Sequence, residues 1–370
     1  MHNKGHSKMK NAVDHYRYIH ENPELSEHEI NTAKYIFKSL EEYGYAPVMV
    51  TPTGVYADLI FSEELPYVIF RADTDALPLT EESPVSYKSK NIGVMHACGH
   101  DSHTSMLLEC AYKLKNEKLN FNIRFIFQPA EEGTKGARAI ISNGVIPENV
   151  KAAFSMHVWP DMPKGKISTK SGAIMASGDL LRINCHGLSA HCSKREKGAD
   201  ALMSAIQIAN SFSDIENSID DELILFCGSL HGGTNHNIVV NEAYLKCALR
   251  TFSEDTRNYI LGQIKETCEK ISNQYGVTTE IISESQSPVV INDEKIVEQI
   301  FQIFPDAHTV NSPTYAAEDF SYYLEYCPGA ELWLGLGESV PLHDNRFYVP
   351  EDILPIGVDA WIKIAKNLKI

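Results

Sequence analysis

Tyr67-Val68-Ile69-Phe70 runs straight into Arg71-Ala72-Asp73-Thr74-Asp75, an apolar run that ends in charge. The apolar half predicts a strand, and the same grammar recurs along the chain. Residues 122–127 predict another strand and lead into Gln128-Pro129-Ala130-Glu131-Glu132-Gly133; residues 152–156 lead into His157. Between them, residues 101–114 predict a helix, with Met106, Leu107, Cys110, Ala111 and Leu114 on or near one face. It is preceded by His96-Ala97-Cys98-Gly99-His100-Asp101. Residues 55–61 give a further strand. Strands alternating with helices predict a largely parallel sheet with helices on both faces. In such sheets functional groups collect beyond the carboxyl ends of the strands, which is where these thiol, imidazole and carboxylate groups fall.

Working outward, Ser26-Glu27-His28-Glu29 has the form of a capping box, followed by Ile30, Ala33, Phe37 and Leu40 at helical spacing and by Gly44 as a stop. From residue 176 the pattern changes. Strand 180–185, helix 200–212, strands 223–227 and 243–252, helix 256–275 and strand 278–283 follow in the order β-α-β-β-α-β, a split βαβ (ferredoxin-like) α+β unit. The expected class is therefore α/β. A catalytic domain of residues 1–175 and 289–370 carries an inserted lid of residues 176–288.

Composition narrows the function. Hydrophobic residues make up 43% and charged residues 22% of 370, an ordinary globular balance. The net charge of −16 argues against nucleic acid as a partner. No apolar run approaches the ~18 residues of a membrane span, and the N-terminal MHNKGHSKMK lacks the apolar core of a signal peptide. A cytoplasmic location is expected, and the eight cysteines are expected to be mostly buried thiols.

Cys98 is the exception. If its segment is extended, residues i and i+2 project the same way, so Cys98 and His100 reach one ion. Cys-x-His alone is equally a buried thiol beside a solvated histidine; the neighbouring strand-end groups favour the ligand reading. Glu131 and Glu132 follow an apolar strand and precede a glycine. Two carboxylates on a turn can point apart, one to coordinate metal and one to take a proton, the arrangement for attack on an amide carbonyl. His157, and His343 in a loop after the strand candidate 332–336, complete a ligand set.

These residues resemble the M20 metallopeptidase family, in its aminoacylase-like branch of N-acyl amino acid amidohydrolases, which includes hippurate hydrolases and N-acetyldiaminopimelate deacetylases. The resemblance extends over His20-x-x-Pro23-Glu24-Leu25-Ser26, residues 71–78, 96–101 and 128–133, and Glu318-Asp319-Phe320-Ser321. It implies Cys98 as the bridging ligand, His100 and His157 on one metal, Glu132 and His343 on the other, Glu131 as general base and Asp75 as the carboxylate orienting a ligand histidine. Asp73 stands where other branches keep a ligand histidine and is not assigned to metal. In the lid, the resemblance implies His191 as a donor to the oxyanion, in its own or a partner's site, Asn237 as a substrate contact and Arg250 as the partner of the substrate carboxylate.

The expected function is thus metal-dependent hydrolysis of an N-acyl, first of all N-acetyl, amino acid to a carboxylate and a free amino acid. Two divalent ions are expected, zinc or manganese before cobalt or nickel. A homodimer through the lid is implied by the resemblance. A dipeptidase or carboxypeptidase on the same scaffold is the alternative. A thiol hydrolase using Cys98 as nucleophile and a metal-loaded binding protein are the remaining rivals.

Overall fold

The computed structural model describes residues 9–133 and 135–370. Residues 1–8, part of the stretch read above for a signal peptide, lie outside the described residues. The chain forms two compact units. One comprises Met1–Gly172, Ile291–Asn311 and Tyr322–Ile370; the other comprises Ala173–Val290 and Ser312–Ser321.

The first unit is built on an eight-stranded, mostly parallel sheet. Its order is Val48–Met49, Val55–Leu59, Asn122–Gln128, Tyr67–Asp73, Val150–Pro160, Gly329–Gly337, Ile167–Thr169, His308–Thr309. The four central strands run parallel, and their antiparallel neighbours lie towards the edges. Tyr67–Asp73 is buried at every position after the first, as a strand covered on both faces must be. From it the chain moves to Asn122–Gln128 on one side through helix His100–Leu114. It then returns past it to Val150–Pro160 on the other side through helix Gly136–Ser142. Right-handed crossovers taken in opposite directions put their helices on opposite faces. Phe70, Phe125 and Phe154 accordingly join one apolar cluster with Met106, Leu107 and Trp361. Arg124, out of step with that face, donates to the Val145 carbonyl just beyond Gly136–Ser142. Phe70 packs on Trp361 with ring centroids 4.7 Å apart; each such buried ring contributes about 1.5–3 kcal/mol. The reversal of direction at Tyr67–Asp73 is a switch point, where the loops above the sheet part and leave room for a site.

One local expectation differs. Helix Ile30–Glu42 begins at Ile30, but its N-cap Glu29 makes no side-chain cap. Ser26 instead donates to Asp75 (2.6 Å), and Glu29 accepts from the Ala130 amide (2.8 Å). The cap comes from outside the box: Glu24 accepts from the amides of Asn31 and Thr32, both at 2.8 Å. Between Ser26 and Glu29 the chain passes through a left-handed Glu27, φ 68°, which turns both side chains away from the helix end.

The second unit holds a four-stranded antiparallel sheet in the order Thr278–Ser287, Gly178–His186, Glu242–Thr251, Leu223–Gly232. Helices Ala201–Glu216 and Glu254–Tyr275 form one apolar cluster with these strands. Asp200 and Ser253 cap the two helices. Segment Ser312–Ser321, placed above with the catalytic residues, belongs to this unit, where the Thr314 carbonyl and amide pair with Ala176 and Ile174. Among the described residues, no helix is long and apolar enough to cross a membrane.

Candidate metal centre

The switch point of the first unit gathers the polar strand ends. Cys98, His100 and His157 are buried and offer one ligand atom each, all within 4.8 Å of one another. Cys98, Glu132 and His343 form a second such group, and His100, Glu131 and Glu132 a third. All six side chains therefore belong to one cluster, although residues 98 and 343 are far apart in the chain.

Each ligand atom is aimed by a contact on its far side. His157 Nδ1 lies 2.6 Å from the Val158 carbonyl and donates to it, turning Nε2 toward Cys98 Sγ at 3.4 Å. His100 Nδ1 lies 3.0 Å from the Asp75 carbonyl oxygen and 3.3 Å from its Oδ1. His100 Nε2 is buried without a hydrogen-bond partner among the described residues. Such outer partners fix the tautomer of a ligating histidine and raise its basicity. His343 is half exposed in a left-handed conformation, φ 66°. Its amide donates to the Ala97 carbonyl (2.8 Å), and its Nε2 stands 3.1 Å from Glu132 Oε1.

Cys98 and His100 do not share an extended segment. Gly99 between them has φ 89° and starts the helix His100–Leu114, so a left-handed turn brings the two side chains together. A Cβ at Gly99 would stand 2.5 Å from Val158 Cγ2, so any side chain there would force Val158 to shift.

Asp75 organises the opposite wall. Its Oδ1 accepts from the Glu131 amide and its Oδ2 from the Glu132 amide, both at 3.0 Å. The Glu131 carboxylate comes within 3.9 Å of His100 Nε2.

Asp73 is occupied otherwise. It accepts from Arg71 Nη1 (2.8 Å) and lies 2.6 Å from His103 Nδ1. His103 Nε2 accepts from the Val158 amide (2.9 Å). Both nitrogens of His103 are thus committed, so the group Asp73, His100, His103 braces the strand of His157 rather than offering a third ion site.

Electrostatics test the fit to a cation. Burial, with Glu132 and Glu131 alongside, pushes the Cys98 thiol well above its ordinary value. Burial opposes charge on His100, yet Asp73, Asp75 and Glu132 outweigh it and hold its imidazole up to about 10. Burial, with His103 beside it, pulls His157 well below the usual range, so its ring is neutral. The carboxylates demand positive charge near His100 Nε2, which a proton or a metal ion can supply. A metal ion would in addition hold the buried Cys98 as a thiolate. The donor set of sulfur, imidazole and carboxylate fits a divalent metal ion.

The lid residues lie in the second unit. His191 is exposed, caps the short helix Cys192–Lys197 and pairs with Ile238. The Asn237 carbonyl accepts from the Cys192 amide (3.0 Å), so the structure brings His191 and Asn237 side by side. Asn237 Oδ1 is buried with no hydrogen-bond partner among the described residues. Arg250 is half-buried and donates only to the Leu249 carbonyl (3.1 Å) among the described contacts; burial lowers its guanidinium from the usual value.

Sequence reading missed His103, Ser26 and Glu29 as parts of this site. His103 carried a signal, since it lies three residues after His100 and so on the same helical face. Trp159 was missed as well; it sits edge-on to His157 at 5.5 Å and stacks on Trp333.

Comparison with known proteins places the chain in a family. The chain matches the peptidase family M20/M25/M40 over residues 69–367. It is 35% identical over 366 residues to thermostable carboxypeptidase 2 of Saccharolobus solfataricus, covering 94% of this chain and 93% of that protein. It is 33% identical to N-acetyl-L-cysteine deacetylase of Bacillus subtilis, covering 90% and 82%. A Bacillus subtilis crystal structure described as a dinuclear metal binding peptidase from the M20 family superposes with a TM-score of 0.83 at 31% identity, over 96% of each chain. With a match across most of its length and relatives above 30% identity, the chain belongs to the peptidase family M20/M25/M40.

Proposed function

We propose that the protein removes the acyl group, first of all acetyl, from N-acyl amino acids. It is a metal-dependent hydrolase of amide bonds; the acyl amino acid substrate is our reading. The observation that carries it is the Glu131 carboxylate standing beside His100 Nε2 at the edge of two ligand groups that share Cys98.

His100 and His157 with Cys98 would hold one divalent ion, and Glu132 and His343 with Cys98 the other. Bound there, the ions acidify a water and polarise the acyl carbonyl. Glu131 takes a proton from the water as its oxygen adds to the acyl carbon. When the C–N bond breaks, Glu131 returns that proton to the nitrogen, leaving a carboxylate and a free amino acid. Asp75 keeps both glutamate amides and His100 in place. In the second unit, His191 would donate to the oxyanion, while Asn237 and Arg250 would bind substrate, Arg250 through its carboxylate. The half-buried Arg250, with no ion pair among the described residues, supports an anionic ligand. Zinc suits the cysteine ligand, and manganese the carboxylates. We also propose a homodimer formed through the second unit. A cytoplasmic location is supported by eight cysteines that form no disulfide.

A carboxypeptidase reading is the second, favoured by the carboxypeptidase name of one relative. Both reactions cleave an amide whose nitrogen belongs to an amino acid with a free carboxylate. A thiol hydrolase is disfavoured, because burial and the two glutamates keep the Cys98 thiol protonated unless a cation is bound. The test is released amine from a panel of N-acetyl, N-benzoyl and peptidyl amino acids, with zinc- or manganese-loaded protein, before and after EDTA. Turnover of acyl amino acids that stops with EDTA is expected. Turnover that survives complete chelation, or none on any member of the panel, would overturn the reading.

A further inference from the structure

We propose that Ser26 and Glu29 are positioning residues for the general base. With Asp75 they hold three consecutive backbone amides, those of Ala130, Glu131 and Glu132, and so set the direction of the Glu131 carboxylate. The inference rests on the role of Glu131 given above.

The turn that carries Glu131 is strained. Ala130 has φ 53°, the left-handed region in which a residue with a Cβ costs of order 1 kcal/mol. Such a conformation persists only where its surroundings over-determine it. Here they do so from both ends. The Ala130 amide donates to Glu29 Oε1 (2.8 Å), and the Ala130 carbonyl accepts from the amides of Gly136 (3.2 Å) and Lys135 (3.4 Å). Glu29 is fully buried, and the same Oε1 accepts from the Glu27 amide at 3.1 Å.

The next two amides go to the two oxygens of one carboxylate, Asp75. A carboxylate turns easily about its last torsion. Ser26 Oγ, 2.6 Å from Asp75 Oδ2, removes that freedom by binding the oxygen that also receives the Glu132 amide. The segment Ser26–Glu29 thus acts at two points of the turn, through Asp75 and directly. Direction matters because an error of about 1 Å in a reacting group can cost ~100-fold in rate.

The test uses the metal-loaded enzyme and four variants: Ser26→Ala, Ser26→Thr, Glu29→Ala and Glu29→Gln. Removing the hydroxyl or the acceptor should lower kcat of the metal-saturated enzyme by ~10–100-fold, with KM nearly unchanged. Amide exchange of a peptide spanning residues 128–133, followed by mass spectrometry, should speed up in the same variants. Ser26→Thr and Glu29→Gln, which keep the donor or the acceptor oxygen, should recover both readouts. A residue that merely stabilised the fold would change the unfolding midpoint without this kcat loss at constant KM. The inference is overturned if Ser26→Ala exchanges and turns over like the parent, or if Ser26→Thr is as impaired as Ser26→Ala. Should Glu29→Ala fail to fold, the Ser26 pair decides alone. Glu131→Gln separates the two levels: if it is fully active, the reading of the base is wrong. If it is inactive beside a parent-like Ser26→Ala, only the positioning claim is lost.

Discussion

Replacing Asp75 by asparagine tests the wall of the site most sharply. The side chain is buried and accepts from the Glu131 amide, the Glu132 amide and Ser26 Oγ, with His100 Nδ1 at 3.3 Å. Asparagine has one acceptor oxygen and one donor NH2. Whichever way it flips, its NH2 faces one of the two backbone amides, donor against donor. That amide loses a hydrogen bond to a charged group, worth about 1.5–3 kcal/mol, and stays buried without a partner. A cost of about 3 kcal/mol falls on the turn that presents Glu131 and Glu132. At 1.4 kcal/mol per factor of ten it corresponds to roughly 100-fold in the affinity of the ion held by Glu132 and His343. His100 also loses its carboxylate, so the other ion weakens by a smaller factor. The assay is a zinc competition titration against a chromophoric chelator, resolving two binding steps, with circular dichroism to show the fold intact. If both ions bind Asp75→Asn within about threefold of the parent, Asp75 is not the brace described here.

Other outcomes follow from the same geometry. Glu131→Gln should keep both ions and lose ~100- to 10,000-fold in kcat, the usual share of a general base; metal content by elemental analysis and initial rates check the two halves separately. His20 is buried between Asp101 (2.6 Å) and Glu81 (3.0 Å). Burial opposes its charge, but the two carboxylates win and raise it to about 9. Its folded value lies above its unfolded one. Its stabilisation, on the order of 3 kcal/mol, is therefore complete below pH 6.5 and lost as pH rises through about 9. Urea midpoints measured from pH 6 to 10 should fall more steeply for the parent than for His20→Gln, and parallel curves would count against it. Gly99→Ala adds a left-handed penalty of about 1–2 kcal/mol and an overlap with Val158 worth about 1–3 kcal/mol; it should unfold at clearly lower urea, and an unchanged midpoint would contradict the close approach.

Much of the fold could be read from the residues because the parallel strands are short apolar runs that give way to polar or charged residues. The steps from Phe70 to Arg71 and from Phe127 to Gln128 fall within the last residues of their strands, near the edge where chemistry collects. The six side chains gathered at the switch point were all visible as strand-end or loop groups. What stayed hidden depends on backbone sign and on contacts distant in sequence. Ser26-Glu27-His28-Glu29 has the spacing of a helix cap, but the left-handed Glu27 sends both side chains to the catalytic turn while Glu24 caps the helix. Cys98 and His100 meet through the left-handed Gly99, not through an extended strand. Segment Ser312–Ser321 pairs with residues 174–176 through backbone bonds that no side-chain pattern announces.

The His343 amide is fastened to the Ala97 carbonyl, next door to Cys98. That bond joins residue 343 to residue 97, and the distance in sequence imposes a timetable. On the ribosome, Cys98, His100, Glu132 and His157 emerge first, while His343 follows about 190 residues later, roughly 10–40 s at ~5–20 residues per second. A nascent chain therefore passes through a stage with four of the proposed donors made and the fifth, His343, still to come. On the ligand set proposed above, the second ion's site is complete only after residue 343 has been made and has folded back against Ala97.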